Sequence, residues 1–138
     1  YVFQDVLTDE DLEFIIDMWR SDIPVFEMPW ITVSMMKQIY DKGRMIVVQD
    51  LNKNRIAGAS YYDILLGRST EHHVTVQHEY RNKGLAGAII NKWIRMPGVK
   101  KVISWIDEDN ISSRKCHIRS GLAETGARAW QYIYLCQC

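Results

Sequence analysis

Val76-Gln-His-Glu-Tyr-Arg-Asn-Lys-Gly-Leu-Ala-Gly-Ala88 joins two kinds of sequence. Before it stands a short apolar run, Val74-Thr-Val76; after its polar middle a helical pattern continues through Trp93. A strand that turns through Arg81-Asn82-Lys83-Gly84-Leu85-Ala86 into a helix presents unpaired backbone N–H groups at the positive end of a helix dipole. Such a place receives phosphate oxygens. Gly84 and Gly87 let a ligand approach the backbone where a side chain would block it. The plain alternative is an ordinary βα turn with a glycine at the helix start. The chain has no Gly-x-x-x-x-Gly-Lys-Ser/Thr for a nucleoside triphosphate and no Gly-x-Gly-x-x-Gly for a dinucleotide.

A second stretch, Asn110-Ile-Ser-Ser113-Arg-Lys-Cys-His117-Ile-Arg-Ser-Gly121-Leu122, follows the strand-like run from Val99 to Ile106. Locally, Asn110 reads as a helix N-cap and Gly121 as the left-handed residue that ends the helix. Helical spacing puts Asn110, Ser113, Arg114 and His117 on one face. In this order, with a strand between them, the two stretches resemble the GNAT superfamily of N-acyltransferases. The acyl-CoA pyrophosphate loop of that family runs Gln or Arg, two residues, Gly, one residue, then Gly or Ala, matched here by Arg81, Gly84 and Ala86. The family's later stretch has Asn, a small residue, an aromatic and Gly-Phe, where this chain has Asn110, Ser113, His117, Gly121 and Leu122.

With 138 residues the chain is long enough to bury its own core as one domain, residues 1–138. Its 47% hydrophobic and 25% charged residues are ordinary for a soluble globular protein. No apolar run has the length of a membrane span, and no secretory leader is visible. The chain begins at Tyr1 rather than Met, so a few residues are expected before it. Cys116, Cys136 and Cys138 are odd in number and suggest no disulfide framework, which favours a reducing cytoplasm. Cys136-Gln-Cys138 has no second ligand pair at metal spacing, so strand-end thiols are expected and no metal.

The net charge of zero is unevenly spread. Residues 1–50 hold ten acids against four bases; the rest hold thirteen bases against seven acids, so the halves carry −6 and +6. Solvated faces account for such asymmetry by default. The basic half nevertheless contains the phosphate-loop candidate, and the acidic half suits a cationic acceptor. No basic stripe interleaved with aromatics marks a nucleic-acid binder.

Along the chain, Tyr1 to Val6 reads as a short strand. Thr8 caps a helix through Trp19, with Asp9, Glu10 and Asp11 suited to its N-terminus and Leu12, Ile15, Ile16 and Trp19 on its core face. Pro24 and Pro29 keep residues 22–30 from forming a regular helix. A helix over 32–41 ended by Gly43, a strand over 44–49, a turn at Asn52-Lys53-Asn54 and a strand over 56–64 follow. After a loop at Gly67-Arg68-Ser69 come a strand over 71–77, the phosphate loop and a helix to about Met96. A buried strand over 99–106, a helix over 111–120 and a last strand over 130–137 complete the order βααβββαβαβ. That order fits an α+β fold with a mixed sheet and helices on both faces. It resembles the GNAT order, a central twisted mixed sheet, over nearly the whole chain.

The resemblance implies transfer of an acyl group, usually acetyl, from acetyl-CoA directly to an amine. It places the pantetheine arm along Val74, Thr75 and Val76, and the pyrophosphate on the amides of Asn82, Lys83, Gly84, Leu85, Ala86 and Gly87 behind Arg81. Asn110, with Ser113, approaches the arm from the other side, and the N–H of Val76 stabilises the developing oxyanion. Relatives often carry a tyrosine at the place of His117 as general acid. His117 could donate a proton, accept one, or simply pack as a polar helix residue. The family's place for a carboxylate base holds Trp105. His72 and His73 lie on the strand leading to the thioester; by alternation His72 shares a face with Val74 and Val76, so it is the candidate base, with plain exposure as the alternative. Phe26 and Trp30, near Asp22 and Glu27, stand in the region that shapes the acceptor pocket in the family, and aromatic core packing competes for Trp30.

Two functions follow. One is an acetyl-CoA-dependent N-acetyltransferase acting on a small-molecule or peptide amine, cytoplasmic, a monomer or homodimer, with no metal, nucleic acid or membrane. The other is a GNAT-like acyl-CoA-binding module without turnover, since the usual tyrosine and carboxylate are absent.

Overall fold

A computed structural model of the chain describes residues 1–22, 32–107, 109–124 and 130–136. Four α-helices and seven strands occur among them, in the order β1 (Val2–Phe3), α1 (Asp9–Asp22), α2 (Val33–Asp41), β2 (Met45–Asp50), β3 (Arg55–Tyr62), β4 (Arg68–Val76), α3 (Leu85–Ile94), β5 (Lys101–Asp107), α4 (Ile111–Arg119), β6 (Ala123–Glu124) and β7 (Trp130–Cys136). Parallel and antiparallel pairings both occur, so the fold is α+β with mixed strand directions. The chain forms two compact units, Tyr1–Tyr61 with His73–Leu85 and Tyr62–His72 with Ala86–Cys138.

In the first unit, β1 pairs with β2 and β2 with β3, all antiparallel. Helix α1 starts on a reciprocal cap: Thr8 N–H donates to Asp11 Oδ2 at 2.9 Å, and Asp11 N–H donates to Thr8 Oγ1 at 3.2 Å. That arrangement satisfies two donors that the first turn leaves without intrahelical partners. Leu12, Ile15, Ile16 and Trp19 then bury one stripe of α1 with Met36 of α2 and Val47, Ile56, Ala59 and Tyr61 of the strands. The Trp19 and Tyr61 rings lie 5.4 Å apart at 45°. The backbone N–H of Gln77 donates to Ala57 O at 2.8 Å, and its side-chain amide donates to Ile56 O, fixing how the chain leaves β4 beside β3.

In the second unit, Arg68, Ser69 and Thr70 of β4 pair in parallel with Lys101, Val102 and Ile103 of β5, while β7 pairs antiparallel with β5 and β6. Trp93 of α3 donates from Nε1 to Ser69 Oγ at 2.8 Å, so the indole meets its polar need inside the core. Helix α4 ends as the sequence indicates. Gly121 takes φ +101°, its N–H donates to Ile118 O, and Leu122 N–H donates to His117 O, the doubled closure that satisfies the last carbonyls.

Several boundaries differ from the sequence reading: β1 is Val2–Phe3 rather than 1–6, α1 runs on to Asp22, β3 ends at Tyr62 rather than at 64, and β5 starts at Lys101 rather than at 99. Strand β4 begins at Arg68 rather than at residue 71: Leu65 and Arg68 exchange backbone hydrogen bonds in a tight turn, and from Arg68 on the chain is in register with Lys101 of β5. The two-residue β6 is additional; Ala123 and Glu124 carry too short a pattern to announce a strand.

Candidate functional site

The first unit holds the strand end and the loop. Thr75 is buried; Val74 and Val76 are half-buried; Arg81, Asn82, Lys83 and Gly84 are exposed; Leu85, the first residue of α3, is buried. A single 3-10 turn, His78–Tyr80, separates β4 from the loop. The loop owes its shape to two left-handed residues, Asn82 at φ +62° and Gly84 at φ +78°. Asparagine tolerates that region better than most side chains, and glycine adopts it without cost. A Cβ built at Gly84 would meet nothing within 4 Å, so the loop backbone is open on that side. Arg81 turns back on the strand, its Nε donating to Val76 O at 3.1 Å.

Tyr80 anchors this segment. Its hydroxyl donates to Asp50 Oδ2 at 2.8 Å, Lys83 Nζ stands 5.7 Å from the ring centroid, and Tyr1 meets the ring edge-on. Burial, reinforced by the bond to Asp50, pushes the Tyr80 hydroxyl up to about 12. The same hydrogen bond holds the Asp50 carboxyl below its usual range.

Beside the loop opens a cavity of about 660 Å³ lined by Phe14, Asp17, Met18 and Ser21 of α1 and by Thr75, Val76, Gln77, His78 and Arg81. Its size suits a small ligand. Three of its members, Thr75, Val76 and Arg81, come from the sequence-derived site. Its α1 wall and His78 were missed by sequence reasoning. The signal was present: Phe14, Asp17, Met18 and Ser21 are spaced as one helical stripe beside the core stripe.

The second unit holds Ala86, Gly87, Asn110, Ser113 and His117. A Cβ at Gly87 would touch Cys116 Sγ at 3.9 Å, so α3 runs close to α4 at this glycine. Asn110 is the N-cap, its Oδ1 accepting from Ser113 N–H at 3.2 Å. His117 is only 2% exposed. Its Nδ1 lies 2.7 Å from Ser113 O, and its Nε2 lies 3.0 Å from Ser104 Oγ. A carbonyl only accepts, so Nδ1 donates to Ser113 O, while Nε2 and the Ser104 hydroxyl share a hydrogen bond. Trp105, at the family's carboxylate position, is exposed.

His72 lies within β4, its side chain outside the described residues, as is that of His73. Phe26 and Trp30 fall outside the described residues, as do Glu27 and Cys138. Cys116 forms no disulfide among the described residues, and Cys136 is the last residue of β7. Among the described residues, no group of His, Cys, Asp and Glu could hold a metal ion, and no helix is long and apolar enough to cross a membrane.

No protein-family model matches the sequence, and no curated protein matches it. Solved structures do match in fold. The chain is similar to a ribosomal-protein-alanine N-acetyltransferase from Brucella melitensis at TM-score 0.80 and 15% identity, covering 99% of each chain. A GNAT-family acetyltransferase from Bacillus cereus matches at TM-score 0.78 and 19% identity, covering 99% of this chain and 97% of that one. A spermidine N-acetyltransferase from Vibrio cholerae, solved in complex with CoA and spermine, matches at 0.75 and 18%, covering 99% and 95%. The chain has the GNAT fold.

Proposed function

We propose that the protein is an N-acetyltransferase that moves an acetyl group from acetyl-CoA to an amine acceptor. The observation that carries this reading is the loop Arg81 to Gly84. Its left-handed Asn82 and Gly84 turn the chain from β4 into α3, and its first residue, Arg81, lines a cavity with Thr75 and Val76 of β4. Similarity in fold to N-acetyltransferases, one of them solved with CoA, supports it further.

The loop fits the cofactor's diphosphate: successive amides at a helix start attract anions, and no side chain fills the approach at Gly84. Asn82 to Gly87 would hold the diphosphate and Val74 to Val76 the arm, with Asn110 and Ser113 entering from the resemblance alone. When bound, acetyl-CoA supplies the thioester acyl group, which the amine nitrogen takes as the carbon–sulfur bond breaks. The residues of the chain bind, orient and move the proton. Val76 N–H is the proposed oxyanion donor. The ammonium must lose a proton before attack, and His78 in the cavity wall is the proposed acceptor of that proton. His72 is the second candidate base. His117 is the proposed acid by position, while its burial and its two held nitrogens support a structural role as well. Phe26 and Trp30 are proposed to bound the acceptor, and we place the protein in the cytoplasm as a monomer or homodimer.

Incubation with acetyl-CoA and a panel of amines, followed by release of free thiol, tests the reading. Acetyl-CoA binding without thiol release for any amine would instead leave a binding module, the reading favoured by the missing tyrosine and carboxylate.

A further inference from the structure

Helix α1 carries two stripes. Leu12, Ile15, Ile16 and Trp19 face the core of the first unit. Phe14, Asp17, Met18 and Ser21 recur at i, i+3, i+4 and i+7 and line the cavity. Folding does not require this second stripe to contain a phenyl ring and a carboxylate one turn apart, because Phe14 and Asp17 are both exposed along the cavity.

Asp17 is the carboxylate among the cavity-lining residues, and among the described residues it has no hydrogen bond or ion pair. A ligand that fills the cavity strips water from this anion, which is costly unless the ligand brings a cation. The amine that attacks must be neutral, whereas a carboxylate beside an amine favours its protonated form. Asp17 therefore suits a cationic group other than the one that reacts. The guanidinium of the same cavity, Arg81, commits its Nε to Val76 O.

We propose that Asp17 selects acceptors that carry a second cationic group on a short apolar chain, with Phe14, Met18 and Val76 flanking that chain. The part of this inference that concerns acylation rests on the transferase reading; the binding part does not.

Calorimetric titration of the full chain with 1,5-diaminopentane and with 1-aminopentane, with and without CoA, tests it. The diamine binds roughly 1.5- to fivefold more tightly than the monoamine, the range expected for a solvent-accessible ion pair. Asp17→Asn brings the two affinities together, while Glu13→Gln, an exposed acid of α1 outside the cavity lining, leaves the ratio intact. Equal affinities in the wild type, no binding of either amine, or a ratio that survives Asp17→Asn overturns the proposal. Thiol release is read separately. Asp17-dependent discrimination without acyl transfer sinks the transferase reading and leaves this one standing; acyl transfer indifferent to Asp17→Asn does the reverse.

Discussion

The Tyr80 hydroxyl donates to Asp50 Oδ2 across 2.8 Å, tying the turn that follows β4 to the last residue of β2. The two residues are thirty positions apart, and both are buried. Because the loop Arg81 to Gly84 begins one residue after Tyr80, this bond sets where the loop starts.

Stability should therefore depend on pH at both extremes. Asp50 is depressed below 3.8 in the folded state, so its contribution is present above 3.8 and is lost as pH falls through the folded value. Tyr80 is raised from 10.0 to about 12, so its contribution is present below 10.0 and is lost as pH rises towards 12. Urea unfolding of wild type and Tyr80→Phe should show a stability difference that is constant between these limits and shrinks outside them. A difference that stays constant into strong acid and strong base would show that the pair does not couple to folding.

The loop glycine supports a second prediction. Saturation with acetyl-CoA at about a hundredfold excess over Kd should stabilise the native state by about 2.7 kcal/mol and raise Tm. Gly84→Val should lose that increment, since φ +78° costs a side-chain-bearing residue about 1–2 kcal/mol and distorts the loop. Gly121→Ala, strained in the same way in the turn after α4, should lower the basal Tm and keep the ligand shift. Thermal scans with and without acetyl-CoA separate the two. A ligand shift that survives Gly84→Val would dissociate binding from the loop.

Much of this was legible in the sequence because the signals are local. Thr8 with Asp11 announces the start of α1, the Asn110 to Gly121 spacing announces both ends of α4, and Arg81 to Ala86 marks the strand-to-helix turn. What was not legible depends on residues distant in sequence. Nothing near Tyr80 names Asp50 as its partner, and nothing near His117 names Ser104. The cavity wall of α1 escaped for a different reason. Asp17 and Phe14 sit on a helix whose apolar periodicity already accounts for Leu12, Ile15 and Trp19, so its remaining face reads as solvated. His78 lay inside the quoted motif, but a histidine in a polar turn carries no pattern of its own.

His117 bears on stability whatever else it does. Replacing it by Ala removes a buried ring together with its hydrogen bonds to Ser104 Oγ and Ser113 O. Each lost hydrogen bond is worth about 0.5–1.5 kcal/mol and the lost ring burial adds to it, so chemical denaturation should register a loss of at least about 1 kcal/mol. His117→Gln, which can keep one of the two bonds, should lose less. Equal stability of His117→Ala and wild type would mean that the Ser104–His117–Ser113 connection contributes nothing to the fold.

The last prediction concerns which histidine moves the acceptor's proton. His78 is exposed in the cavity wall next to Val76 and Gln77, whereas His117 is enclosed with both ring nitrogens held. A base must be unprotonated to work, so its protonation at low pH should appear as an acidic limb in kcat/KM. His78→Ala should remove that limb and lower the neutral-pH rate by roughly a hundredfold to ten-thousandfold, the worth of one positioned proton acceptor. The Tm shift with acetyl-CoA should be unchanged, because the diphosphate loop is intact. In His117→Ala, turnover per folded molecule should keep the acidic limb even as stability falls. If the limb disappears in His117→Ala and persists in His78→Ala, the buried residue is the proton carrier and must open to solvent during turnover. If it persists in both, His72→Ala is the variant that should abolish it.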